Sequence, residues 1–341
     1  MAVLNINNPT MLDLIKSQAP DGSLIPVAEV LNQTNEGLDE MTWQEGNLTT
    51  GHVHAIRTGI PTPTWGRLYK GVTATRGTRV QVTDNTGFLE DLSEVDARLV
   101  EKHNNPLEYR VSEDRPHIEG MSQEMMHTIF KGDFTDVDKF VGFEKRFNSL
   151  SADNAENIID AGSGEDTDLT SLWLIGWSPK SCFGIVPKGS MMGLQQEDHG
   201  KVWLENGDGA NGRMPVYRTY WRWDAGLAVT DWRYIVRIAN IDLSETLPSR
   251  ATGPDLPDLA FRAMSQLPSD AFSTTRLAFY ANRTLIEKWR RQVANSTDSS
   301  TLKMEEVGGQ NSPASVRKKY VFDGIPVNRC DVLAPDETRV V

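Results

Sequence analysis

Residues 322–334 read "FDGIPVNRCDVLA". A glycine, an isoleucine and a proline lead into a short apolar run, the pattern of a tight turn followed by a strand. Gly324 and Pro326 are the fixed points of that turn. A chain of 341 residues has length for roughly two domains. So late a strand reads as one that returns from an inserted domain to complete the sheet of an earlier one.

Working outward, "NSTDSSTLKMEEVGGQNSPASVRKK" (295–319) is polar and loop-like, and "ETRVV" after the return strand reads as a short last strand. "TRLAFYANRTLIEKWRRQVA" reads as a strand and then a helix begun by Asn282. In "LPDLAFRAMSQLP", Leu256, Leu259, Ala260, Ala263, Met264 and Leu267 share a helical face. "SLWLIGW", "CFGIVP", "GKVWLEN" and "YRTYWRWDAGLAVTDWRYIVRIANID" form a β-rich block, in which tryptophans alternate with Arg and Asp as in half-exposed strands.

The strongest helix is "SEDRPHIEGMSQEMMHTIFKGD" (112–133). Ile118, Met121, Met125 and Ile129 make one stripe, widened by Met126 and Phe130. The spacing predicts a helix over 114–131, with Asp114 as N-cap, Pro116 in the first turn and Gly132 as the stop. Its stripe is expected to pack on the sheet that Ile325 and Val327 complete.

Residues 45–90 alternate with the two-residue period of strands in "HVHAIRTGI" and "TRVQVTDNTGFLE". Between them "PTPTWGRLYKGVTATRG" (61–77) is rich in Pro, Gly and basic residues and too poor in apolar ones to form a core. The reading is a long two-stranded hairpin with an exposed basic tip. An isolated hairpin is marginal in water, so its arms need an external partner. Residues 1–22 read as an irregular arm; from Ser23 a helical stripe runs through Val27, Val30, Leu31, Thr34, Leu38 and Met41.

With 35 Lys and Arg against 47 Asp and Glu, the net charge is −12, which disfavours direct binding of nucleic acid. No signal peptide and no apolar run of the ~20 residues that span a bilayer are read. Cys182 and Cys330 read as unpaired thiols. His52 and His54 share one side of a strand without a third ligand at a metal-site spacing, and read as exposed hairpin histidines. "DAGSGEDTD" (160–168) has Gly162 and Gly164 where a calcium loop needs oxygen ligands. No nucleophile elbow, kinase triplet or Cys/His pair appears. No catalytic, cofactor or metal residue is assigned.

The order of elements is itself informative: arm, long basic hairpin, one long helix, Gly-Asp turn, β-rich insertion, return strand. It resembles the major capsid proteins of tailed bacteriophages, the Hong Kong ninety-seven type of shell fold. The likeness lies in "IFKGDFTDVDKFVGF", with its Gly142–Phe143 pair, in "LAFYANRTLIEKW" and in "FDGIPVNRCDVLA". "NQTNEGLDEMTWQEGN", "SEVDARL" and "DWRYIVRIANID" resemble a subgroup with an enlarged insertion.

The resemblance implies an α+β fold with an N-terminal arm and helix (1–44), an extended E-loop hairpin (45–90) and a P-domain (91–150) with spine helix 114–131. An A-domain (151–317) follows, and return strands (318–341) complete the P-domain. Trp65, Arg67, Leu68, Lys70 and Arg76 at the hairpin tip are the expected inter-subunit contacts; Gly132, Gly324 and Pro326 define the fold. The implied function is self-assembly into hexamers and pentamers of an icosahedral head around double-stranded DNA, which is faced without sequence-specific binding. Portal and scaffolding proteins, and a decoration or cement protein, are the implied partners, with no membrane. The location is the virion capsid, assembled in the host bacterial cytoplasm. An encapsulin-like bacterial compartment shell shares the fold type and is the alternative; an α+β enzyme would need a convergent pocket that the sequence does not show.

Overall fold

The computed structural model describes residues 36–341 apart from 39, 103–104, 134, 137, 163–167, 206–211, 248–252, 295–301 and 308–316. The expected arm, nearly all of the helix expected from Ser23, and the centre of the 160–168 turn lie outside these residues. Along the chain come β1 (Trp43–Glu45), β2 (Gly51–Gly59), β3 (Thr78–Asp96) and the long helix α1 (Pro106–Lys131). Then follow β4 (Ile158–Asp160), β5 (Leu169–Trp177), β6 (Cys182–Val186), β7 (Gln195–Glu205), β8 (Arg213–Val229) and β9 (Ile235–Asp242). Helix α2 (Leu256–Gln266), β10 (Arg276–Ala281), α3 (Arg283–Ala294), β11 (Leu302–Val307), β12 (Arg317–Phe322) and β13 (Ile325–Arg329) complete it. The described parts group into two compact units.

Unit two comprises Thr34–Gly87, Met126–Ser190 and Ala225–Val341. Its sheet runs β11-β12-β13-β10-β5-β6-β8-β3-β2, with β9 also beside β5, β4 beside β9 and β1 beside β6. Asp323 and Gly324 both have positive φ, 48° and 81°, the mirror-image turn that suits a two-residue hairpin, and they bring Ile325 opposite Phe322. β13 then pairs in parallel with β10, Val327 opposite Phe279. This corrects the expected role of the return strand. Its direct partner β10 lies within 151–317 and not in the earlier strands, and the connection between these parallel neighbours runs through α3, β11 and β12. Asn282 starts α3, accepting from the Thr284 N–H at 3.0 Å.

Residues of each central strand alternate between two layers, as the pleat dictates. Leu172, Leu174, Val236, Ile238, Phe279, Ile325 and Val327 face the apolar sides of α2 and α3, where Trp289 is fully buried. Trp173, Trp177 and Tyr280 face the other way. There Phe130, from the last turn of α1, lies with its ring centre 5.7–6.2 Å from those of Phe143, Trp173 and Tyr280. The end of α1 therefore meets the face opposite to Ile325 and Val327, a second correction: alternation puts those side chains in the α2–α3 layer.

The chain leaves α1 through a close crossing of two glycines. The Gly142 N–H donates to the Gly132 carbonyl at 2.9 Å. A Cβ on Gly132 would stand 2.3 Å from the Phe140 oxygen, and one on Gly142 would stand 2.7 Å from the Gly132 nitrogen. Both obstacles are backbone, so neither moves aside cheaply. Gly142→Ala is expected to destabilise the protein by at least about 1–3 kcal/mol, the cost of overpacking, read as a lower urea midpoint; an unchanged midpoint would mean that the crossing relaxes freely.

Arg237, on β9, is 1% exposed and lies with its guanidinium 5.0 Å from the Trp173 ring centre. It donates to the Phe147 carbonyl at 2.6 Å, to the Ser171 hydroxyl at 3.0 Å and to Glu337 Oε2 at 2.8 Å. Glu337 belongs to a C-terminal strap without regular structure that is nonetheless held at several points. Its N–H donates to the Leu169 carbonyl, and Asn282 donates to the Leu333 carbonyl. Val340 exchanges two bonds with the Asn240 carboxamide, whose backbone is left-handed at φ 59°. The short last strand expected at "ETRVV" is thus an extended segment bonded to a side chain. Beside this pair, burial and then the Glu337 charge push the Glu144 carboxyl above the ordinary range.

Two further readings change. "LKMEEV" inside the segment expected to be a loop is strand β11, antiparallel to β12 with Leu302 opposite Phe322. Its alternation is short and flanked by Ser, Thr, Gly and Asn, which masked it. Cys182 and Cys330 are buried and form no disulfide; burial pushes the Cys330 thiol up to about 12 and the Cys182 thiol further in the same direction.

The described part of unit one comprises Phe88–Met125 and Met191–Asp224. β7 and β8 form a long antiparallel pair here, from Gln195 opposite Arg222 to Glu205 opposite Arg213. Val95, Leu99, Val100 and Tyr109 make a small core with Tyr217 against it. Helix α1 begins eight residues before the expected Asp114. Asn105 caps it in a reciprocal arrangement: its carboxamide donates to Glu108 at 3.1 Å and accepts from the Glu108 N–H at 3.5 Å, with Pro106 next in the first turn. Asp114 is an interior helix residue, raised in pKa by burial, and takes a bond from the Thr219 hydroxyl. Met121 and Met125 are buried, but Ile118 is 42% exposed and does not belong to the packed stripe.

Candidate assembly interface

The hairpin grows from unit two through residues chosen for close approach. Asn47 clasps β2, its carboxamide accepting from the Val53 N–H and donating to the Val53 carbonyl, each at 2.7 Å. β2 and β3 pair from Gly51 opposite Asn85 to Gly59 opposite Thr78, with an irregularity between Arg57 and Gly59. At Gly51 a Cβ would stand 2.2 Å from the Asp84 oxygen, so the strands meet where only glycine fits.

Beyond this base every residue from Ile60 to Gln81 is exposed. Trp65, Leu68 and Tyr69 reach 101%, 88% and 107%, so none packs on its own subunit. A turn from Arg67 to Lys70, closed by a 3.1 Å bond and helped by Tyr69 at φ 64°, fixes the apex. Arg57, Arg67, Lys70, Arg76 and Arg79 lie in a stretch, 46–83, that contains no Asp or Glu. Among the described residues none of the five forms an ion pair. The structure therefore gathers Trp65, Arg67, Leu68, Lys70 and Arg76 at one exposed end, and adds Ile60, Tyr69 and Val72 to the apolar set. Their exposure was legible only as low apolar density.

Such a surface can make contacts and little else. Large apolar groups in water favour burial against a partner, and unpaired cations favour an acidic one. Among the described residues no group of three His, Cys, Asp or Glu is placed to hold a metal, and no helix is long and apolar enough to cross a membrane. His52 and His54 are not the exposed pair expected: they are partly buried at the hairpin base, where His52 meets Phe183 edge-on at 5.4 Å. Tight strand pairing beside β6 turns them inward.

The model of the family described as major capsid protein GP7 matches residues 19–341. The chain belongs to this family.

A second comparison agrees along the full length of the GP7-family chain. A cryo-EM structure of bacteriophage Epsilon15 superposes with a TM-score of 0.79 at 29% identity, covering 100% of this chain and 99% of that one. The Bacteriophage JBD30 capsid aligns at TM-score 0.44 and 11% identity over 89% of this chain and 93% of its own. The holo-SrpI encapsulin complex from Synechococcus elongatus aligns at 0.43 and 9%, over 69% and 96%. No curated protein sequence matches the chain. The fold is the α+β shell fold of tailed-phage major capsid proteins. This GP7-family member is a structural protein of the phage capsid.

Proposed function

We propose that the chain acts wholly by self-assembly, into hexamers and pentamers of an icosahedral head that encloses double-stranded DNA, and that it carries no catalysis. The observation behind the contact mechanism is the hairpin tip: among the described residues its apolar groups and cations have no partner within their own subunit. Trp65 and Leu68 serve as anchors on a neighbour, with Arg67, Lys70 and Arg76 against acidic surface there. Residues 45–90 then act as the E-loop, and α1 as the spine of a P-domain. The block 151–317 acts as the A-domain. Portal and scaffolding proteins, with a decoration protein, are the further partners, and assembly takes place in the host cytoplasm. A net charge of −12 favours a lining that repels packaged DNA slightly and leaves it mobile.

Many weak contacts per subunit accumulate steeply, so no single interface need be strong. Expressed with its scaffold, the protein is expected to appear as closed shells or capsomers by negative-stain electron microscopy and sedimentation. A stable monomer at high concentration under those conditions would defeat the proposal.

A further inference from the structure

Both strands of the hairpin join the body of unit two at one small polar cluster. Asp84, on β3, has its side chain only 3% exposed; it accepts from Arg146 Nη1 at 2.8 Å and from the Val229 N–H at 3.2 Å. His54, on β2, stands with Nδ1 3.6 Å from Asp84 Oδ2, too far for a hydrogen bond. Both ring nitrogens of His54, and Nδ1 of His52, are shielded from solvent without a hydrogen-bond partner. The two imidazoles stack, centres 6.1 Å apart and planes 25° from parallel. The surrounding groups are thus His52 from β2, Asp84 from β3, Arg146 from the turn after α1, Cys182 and Phe183 from β6, and the Val229 backbone from β8.

A solvent-shielded slot of this kind accepts a neutral ring and penalises a charged one. Asp84 could balance an imidazolium, but its oxygens already serve Arg146 and Val229. Burial holds the His54 pKa below the ordinary histidine value, against Asp84, which raises it; His52 and Arg146 add to the depression, and the Val229 backbone, close enough to favour the protonated ring, opposes it.

We propose that this cluster is an acid-sensitive hinge: a proton on His54 releases the base of β2 and β3 from the body of the unit and frees the hairpin to change direction. The proposal rests on the reading of the hairpin as the assembly arm, and assigns the control of that arm to its base. Since the closed form binds the proton less well than the open form, closure is fully stable above about pH 6.5. It weakens as pH falls from there toward the closed-state value, by up to about tenfold in the opening constant per pH unit.

The test is hydrogen exchange on the full-length protein at pH 7.5 and pH 5.0, with intrinsic rates corrected. Residues 51–59 and 78–85 are expected to lose protection about tenfold at the lower pH while β5 and β10 keep theirs. In His54→Phe the response should vanish, because the phenyl ring does not titrate. Should that variant fail to fold, His54→Gln, which also does not titrate, must abolish the response. Protection that is independent of pH in the natural chain would overturn the hinge. So would an acid response surviving in the folded variant, since it would then belong to Asp84 or another group. Failure of the tip as an assembly contact would appear instead as normal shells from a tip-deleted chain, with exchange at the base unaffected.

Discussion

Replacement of residues 62–76 by a short Gly-Ser turn is expected to leave a folded, soluble subunit and to abolish closed shells. The two halves of that result have separate physical grounds. Every residue removed is exposed, and among the described residues none of its cations has an acidic partner, so the subunit should lose no more than about 0.5 kcal/mol, as for ordinary surface changes. Between subunits the same residues are the buried anchors. An aromatic anchor such as Trp65 contributes about 2 kcal/mol or more where it fills a neighbour's pocket. Repeated once per subunit around a closed shell, that loss is decisive. Circular dichroism should stay near native, while sedimentation and electron microscopy should find no shells. The exposed part of the contact should also weaken with salt, because charges are screened beyond about 8–10 Å at physiological ionic strength. The idea is falsified if the replacement unfolds the subunit or if normal shells still form.

Glu337→Ala is expected to cost about 3–5 kcal/mol, the penalty for leaving one member of a buried ion pair without the other. Arg237 would keep the Phe147 carbonyl and the Ser171 hydroxyl but lose its counter-charge beneath Trp173. The double variant Arg237→Met/Glu337→Leu should recover most of the loss, because a well-packed apolar pair removes the buried charge altogether. Urea unfolding of the three proteins decides it. Equal stability of the natural chain and Glu337→Ala would mean that water reaches the arginine.

Much of this molecule could be read locally and some of it could not. The stop of α1 at Gly132, the turn at Asp323–Gly324 and the start of α3 at Asn282 are short-range matters of glycine, turn and cap chemistry. They stand where a sequence reader puts them. The start of α1 was misplaced because two cap signals compete, and the Asn105–Glu108 pair wins over Asp114, which unit one turns inward. Period alone placed Ile118 on the packed stripe, yet a stripe marks a possible face and not how far a neighbour extends along it. The hairpin tip was legible because exposure follows from composition over a long stretch. Its base was not: nothing local to "HVHAIR" announces that Asp84, Arg146 and Val229 converge there. Likewise the parallel partner of β13 and the Arg237–Glu337 pair depend on strand order, which residue spacing does not encode.

The Arg237–Glu337 pair also orders events in time. Its members are 100 residues apart in the chain. Closing so distant a contact has a larger entropic cost than the local hairpins and helices that form around it. At synthesis rates of about 5–20 residues per second, an arginine made at position 237 waits roughly 5–20 s for its carboxylate. Throughout that interval the layer around Trp173 holds a cation without its partner, and the strap that covers Leu169 and Asn240 does not yet exist. A growing chain therefore cannot finish this core before residue 337 has been made, and a shell recruiting finished subunits would pass over those still being translated.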